Sequence, residues 1–128
     1  MKVLLDTCAF LWICGKAREL SEEARRTFSD PNNDIFLSSV SAWEIAVKQA
    51  LGRLSLPSPA GRFVTTSRLQ HGIHALSLTE EAALHLERLP SLHRDPFDRM
   101  LVCQALVDGM TILTPDSAIS QYPAKTIW

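Results

Sequence analysis

Short apolar runs alternate along this chain with stretches of helical period. Val3-Leu4-Leu5 and Ile35-Phe36-Leu37 are unbroken by polar residues, the pattern of strands covered on both faces. The pattern predicts strands over 2–6, 35–38, 73–76, 110–113 and 126–128, the third of them weak. Between them it predicts a short helix or turn over 9–13, then helices over 22–28, 42–51, 59–70, 80–86 and 96–107, and a helical turn over 116–120. Ser21, Ser41, Thr79 and Asp95 are the expected N-caps, and Gly52, Gly72 and Gly109 mark stops. Residues 30–34 and the proline-bearing stretch 54–59 read as connectors. Strands alternating with helices predict the α/β class, with a parallel sheet covered by helices on both faces. Ligands in such folds bind beyond the carboxyl ends of the strands.

Composition narrows this picture. The chain has 128 residues, 46% hydrophobic and 21% charged, which suits a single domain spanning 1–128 with a core that needs no staple. No apolar run approaches the roughly 20 residues of a membrane helix. The early charge at Asp6 does not fit a secretion signal, so a cytoplasmic protein is expected. Cys8, Cys14 and Cys103 are odd in number and form no Cys-x-x-Cys pair, as reduced thiols would be.

Four acids fall at transition points. Asp6 ends the first strand, Glu44 follows the second, Asp98 heads the long helix, and Asp116 follows the strand over 110–113. Carboxylates are costly beside a core unless paired or coordinated. One end of a parallel sheet would gather all four. A pocket of carboxylates suits a hard cation such as Mg²⁺ or Mn²⁺, and with it metal-assisted phosphodiester hydrolysis. Thr7, beside Asp6, is a candidate further ligand or orienter. Each acid also has a plain reading: Asp6 and Asp116 as caps, Asp98 as a favourable first-turn charge, Glu44 as a surface residue. Asp95, just before Pro96, reads first as a helix cap that can still border the pocket.

The net charge of −1 argues against a strong nucleic-acid binder. Taking the four acids out as a neutralised pocket leaves +3, with Lys48, Arg53, Arg62, Arg68, Arg94 and Arg99 as candidate contacts. His71, His74, His85 and His93 show no ligand spacing and read as loop or surface residues. Trp12, Trp43 and Trp128 read as core or interface anchors.

Four segments together resemble a known family. They are Leu4-Leu5-Asp6-Thr7, the stretch Ser38 to Ile45, the stretch His93 to Leu101 with its Asp-Pro-Phe-Asp-Arg, and Leu113-Thr114-Pro115-Asp116. In this order they are similar to the PIN-domain ribonucleases, above all to the VapC-type toxins of type II toxin–antitoxin modules. The resemblance spans essentially the whole chain. It implies a PIN-like three-layer α/β/α sandwich with a central parallel sheet, and Mg²⁺- or Mn²⁺-dependent endoribonuclease activity. It places the acidic quartet on Asp6, Glu44, Asp98 and Asp116, with Asp6, Asp98 and Asp116 as metal ligands. Glu44 would complete the pocket or orient the attacking water. The family's small hydroxyl residues fall on Thr7 and Thr114. The resemblance also implies an RNA substrate, a VapB-type antitoxin partner and a homodimer. Two rivals remain. A haloacid-dehalogenase-like phosphatase needs a second Asp where Cys8 stands. A binding module that holds a partner without cleaving it leaves the quartet unused.

Overall fold

The computed structural model describes residues 1–128. Strands β1 (Lys2–Leu5), β2 (Asp34–Ser38), β3 (His74–Leu76), β4 (Thr111–Leu113) and β5 (Thr126–Ile127) form one all-parallel sheet in the order β3-β2-β1-β4-β5. The helices are α1 (Thr7–Gly15), α2 (Glu22–Ser29), α3 (Ser39–Ala50), α4 (Ala60–Gln70), α5 (Glu80–Leu84), α6 (Pro96–Asp108) and α7 (Ser117–Ser120).

The apolar run of β1 explains the layering. Val3, Leu4 and Leu5 are all fully buried, but on opposite faces. Val3 and Leu5 join Phe10, Ile35, Leu37 and Ile45 in one core. Leu4 joins Ile112, Leu101 and Val102 in the other. Helices therefore cover both faces, giving the expected three-layer α/β/α sandwich. Each fully buried Leu or Val contributes on the order of 1.5–3 kcal/mol.

Register sets the working edge. Leu5 pairs with Leu37 on one side and Leu113 on the other. The next residues, Asp6, Ser38 and Thr114, therefore leave the sheet side by side at its carboxyl end. β1 and β4 also flank the point where the strand order reverses, the place where open parallel sheets form a crevice.

Two local expectations are corrected. Ser38, not Ser41, caps α3: its hydroxyl accepts from Val40 N at 2.9 Å. The helix leaves β2 directly and starts three residues early, which turns Ser41 inward, fully buried. The helix expected over 80–86 keeps α geometry only to Leu84 and tightens to a 3-10 turn over His85–Arg88. His74, as expected, is a surface residue: it lies exposed on β3 with its ring 5.2 Å from that of Phe36. The long helix follows its signals closely. Asp95 Oδ1 accepts from Phe97 N and Asp98 N, Pro96 takes the first position, and Gly109 ends it at φ 65°.

Candidate active site

A cleft of about 470 Å³ opens at the carboxyl edge of the sheet, and Asp6, Glu44, Asp98 and Asp116 all line it. Thr7, Lys48, Arg53 and Asp95 share its wall. Thr114 is buried behind it.

The floor is built from three elements that meet at Asp6. Asp6 caps α1, its Oδ1 accepting from Ala9 N at 2.7 Å. Its Oδ2 accepts from the Thr114 hydroxyl at 2.5 Å. The same Thr114 oxygen accepts from Asp116 N at 3.0 Å, which ties the turn after β4 to the end of β1. Thr7 reaches across to α3, lying 2.7 Å from Glu44 Oε1 and 3.0 Å from Ser41 Oγ. Having one proton to give, it donates to the carboxylate and accepts from the serine. Lys48, one helical turn beyond Glu44, donates to Glu44 Oε2 at 2.5 Å.

The rim comes from the start of α6 and the turn into α7. Asp98 Oδ2 is 3.1 Å from His93 Nε2. Asp116 caps α7, its Oδ1 accepting from Ala118 N at 2.9 Å. Asp95 does both things the sequence allowed, capping α6 and lining the cleft.

The concentrated charge shows in proton affinity. Burial, with the Asp116 and Glu44 charges added, pushes the Asp6 carboxyl up to about 6, against the Thr114 and Ala9 hydrogen bonds. Burial and then the Asp95 charge push Asp98 up to about 7, while the His93 hydrogen bond pulls the other way. Burial and then the charges of Asp6, Asp116, Asp98 and Glu44 push the Cys8 thiol up to about 11, so it stays neutral and unreactive at pH 7. The Glu44 hydrogen bond raises the Lys48 ammonium, which therefore keeps its charge. Carboxylates that raise one another's pKa lack positive charge, and an all-oxygen acidic set suits a hard divalent cation. His93, Asp98 and Asp116 can each bring one ligand atom within 4.8 Å of the others. That set takes His93 where the sequence expectation has Asp6, both of whose oxygens hold hydrogen bonds. Each Asp6 oxygen keeps a further lone pair that can meet a cation.

Sequence reasoning missed two side chains here. His93 has no ligand spacing, but Pro96 starts a helix that turns Asp98 back towards it, five residues on. Lys48, a candidate nucleic-acid contact, also pairs with Glu44, which the Glu-to-Lys spacing of four residues signals. Trp43 is 61% exposed and packs edge-on against Phe97, at 4.9 Å between ring centres, so it is no core anchor. Trp12 and Trp128 pack against each other at 5.6 Å.

A parallel α/β/α sandwich with acids gathered at its switch point defines a class, and comparison identifies it. The PIN domain description matches residues 3–125, and the chain belongs to that family. Ribonuclease VapC16 of Mycobacterium tuberculosis is 35% identical over 69 residues, covering 54% of this chain and 49% of that protein. The chain thus spans about half the length of the curated relative it matches. VapBC2 from Rickettsia felis, solved bound to a DNA fragment from its promoter, superposes with a TM-score of 0.75 at 12% identity, covering 99% of this chain and 98% of that one. FitAcB from Neisseria gonorrhoeae superposes at 0.64 and 20% identity, covering 98% and 96%. At these identities the likeness to solved structures is one of fold. No helix is long and apolar enough to cross a membrane.

Proposed function

We propose that this PIN-domain protein is a metal-dependent endoribonuclease and the toxin of a toxin–antitoxin module. The observation that supports it is the convergence of Asp6, Glu44, Asp98 and Asp116 on one cleft at the sheet's switch point. In this reading Asp6, Asp98 and Asp116 hold Mg²⁺ or Mn²⁺, with His93 within reach of the same position. When bound, such an ion lowers the pKa of a water and stabilises charge developing on the phosphoryl group. The chain's own residues do the positioning. Thr114 fixes the Asp6 carboxylate, Thr7 and Lys48 fix Glu44, and His93 orients Asp98. Glu44 completes the pocket and is placed to orient the attacking water. Lys48 and Arg53 set positive charge on the wall that an RNA phosphate must pass. Thr7, Asp95 and Thr114 border the pocket and hold Glu44, the start of α6 and Asp6 in place.

The relatives' names supply the biological half. One is called a ribonuclease, and VapBC complexes share the fold. A VapB-type antitoxin, a second copy of this chain and an RNA substrate are accordingly the partners proposed, in the cytoplasm. The test is cleavage of cellular RNA by purified Asp6→Asn protein in Mn²⁺ or Mg²⁺. The expected loss is at least about 100-fold with an unchanged circular-dichroism spectrum. Cleavage at the wild-type rate would overturn the reading.

A further inference from the structure

Beside the acidic cleft lies an open pocket of about 640 Å³ lined by Ser91, Leu92, His93, Arg94 and Arg99. Its charge is opposite to that of the cleft: two guanidiniums line it and no carboxylate does. Neither guanidinium is ion-paired. The ion pairs of the protein are Arg18–Glu19, Lys48–Glu44 and His93–Asp98. Arg99 Nε is shut off from solvent and has no hydrogen-bond partner. Two unpaired guanidiniums on one wall repel, and an anion between them relieves that repulsion.

Guanidinium forks match phosphate oxygens in geometry as well as charge. A nucleobase stacks best on Phe, Tyr or Trp, none of which lines this pocket, and the one aromatic ring here, His93, is held by Asp98 through Nε2. Position matters as much as chemistry. His93 lines this pocket, and its Nε2 holds Asp98, which lines the cleft. The two sites therefore share a wall made of the His93–Asp98 pair. A strand with one phosphate at the carboxylates would bring an adjoining phosphate over the arginines. We infer that Arg94 and Arg99 form a phosphate subsite for the nucleotide next to the cleaved bond. This rests on the endoribonuclease reading, and it divides the labour: carboxylates do the chemistry and an adjacent arginine pocket sets the register of the strand.

The test uses a short fluorescein-labelled single-stranded RNA and the non-cleaving Asp6→Asn protein as parent, with binding read by anisotropy over a salt series. Adding Arg94→Gln and Arg99→Gln is expected to raise Kd about 10-fold and to flatten the log Kd–log salt slope by about 0.7, one phosphate's worth on a single strand. Arg94 is exposed, so Arg94→Gln alone tests the subsite without risk to the fold. It is expected to raise Kd about 3-fold at an unchanged Tm. Arg99→Lys is expected to recover only part of the loss, because lysine keeps the charge without the fork. Arg18→Gln, on a distant exposed turn, is expected to change nothing. If the parent binds RNA and the double variant matches its Kd and slope, the subsite is overturned and the RNA reading stands. The same holds if the double variant keeps RNA affinity but loses affinity for an acidic peptide, which would assign the pocket to a protein ligand. If only the double variant binds weakly and its Tm has fallen, the subsite is likewise overturned. A parent that binds no RNA overturns both.

Discussion

On the floor of the cleft, Asp6 and Glu44 are 3% and 4% exposed, and every carboxylate oxygen has a partner. On the rim, Asp98 and Asp116 are partly exposed, and each commits one oxygen and leaves the other open. Both halves carry a cost, since burial raises Asp6 on the floor and Asp98 on the rim well above an ordinary aspartate. The rim is less constrained and holds spare ligand capacity. The contrast teaches that the two halves contribute differently. The floor fixes where charge sits, and the rim supplies the atoms free to meet a ligand.

The largest expected effect sharpens this contrast at Asp6. Its folded pKa of about 6 lies above the ordinary 3.8. Protonation is therefore favoured in the folded state, so its contribution is fully present below about pH 4 and is lost as pH rises through 6. The full loss is about 3 kcal/mol. Asn keeps an oxygen for Ala9 N and carries no charge. Metal-free Asp6→Asn should therefore be more stable than wild type at pH 8 by up to about 3 kcal/mol, and its melting temperature should depend less on pH between 4 and 7. A variant that melts lower at pH 8 would break the account of the floor.

Next comes Thr114, which holds Asp6 and Asp116 at once. Thr114→Val should cost about 1.5–3 kcal/mol in urea unfolding, because a charged acceptor loses its donor. It should also move Asp6 further up, since that hydrogen bond pulls the pKa down. The smallest effect is on the rim. Asp95→Ala should cost about 1 kcal/mol as a lost cap. Asp95→Ser, which keeps a cap, should stay within about 0.5 kcal/mol. Both should lower the Asp98 pKa, because the Asp95 charge raises it. A carbon-detected NMR titration of Asp98 checks the direction, and an unmoved Asp98 would show that Asp95 acts only as a cap.

Much of the fold was legible because its signals were local. Pro96 and Gly109 bracket α6 as expected, and the unbroken apolar run of β1 announced burial on both faces. Ser41 misled because Ser38, Ser39 and Ser41 are all chemically able to cap. Where β2 ends is decided by pairing with β1 and β3, which no local pattern reveals. The quartet's positions could be listed in advance, and the structure brings them to one cleft. Their ranking into floor and rim could not be read. It depends on Thr114 and His93, whose partners are set by strand register and by a loop that folds back.

The Thr114–Asp6 hydrogen bond joins residues 108 positions apart. During synthesis Asp6 is made 108 residues ahead of this support. β4 must emerge and pair with β1 before the turn carrying Thr114 and Asp116 can close over it. The acidic cleft is therefore unfinished until β4 and the turn after it have been made and β4 has paired with β1. For a protein proposed to cut RNA, activity would then wait on the pairing of β1 with β4.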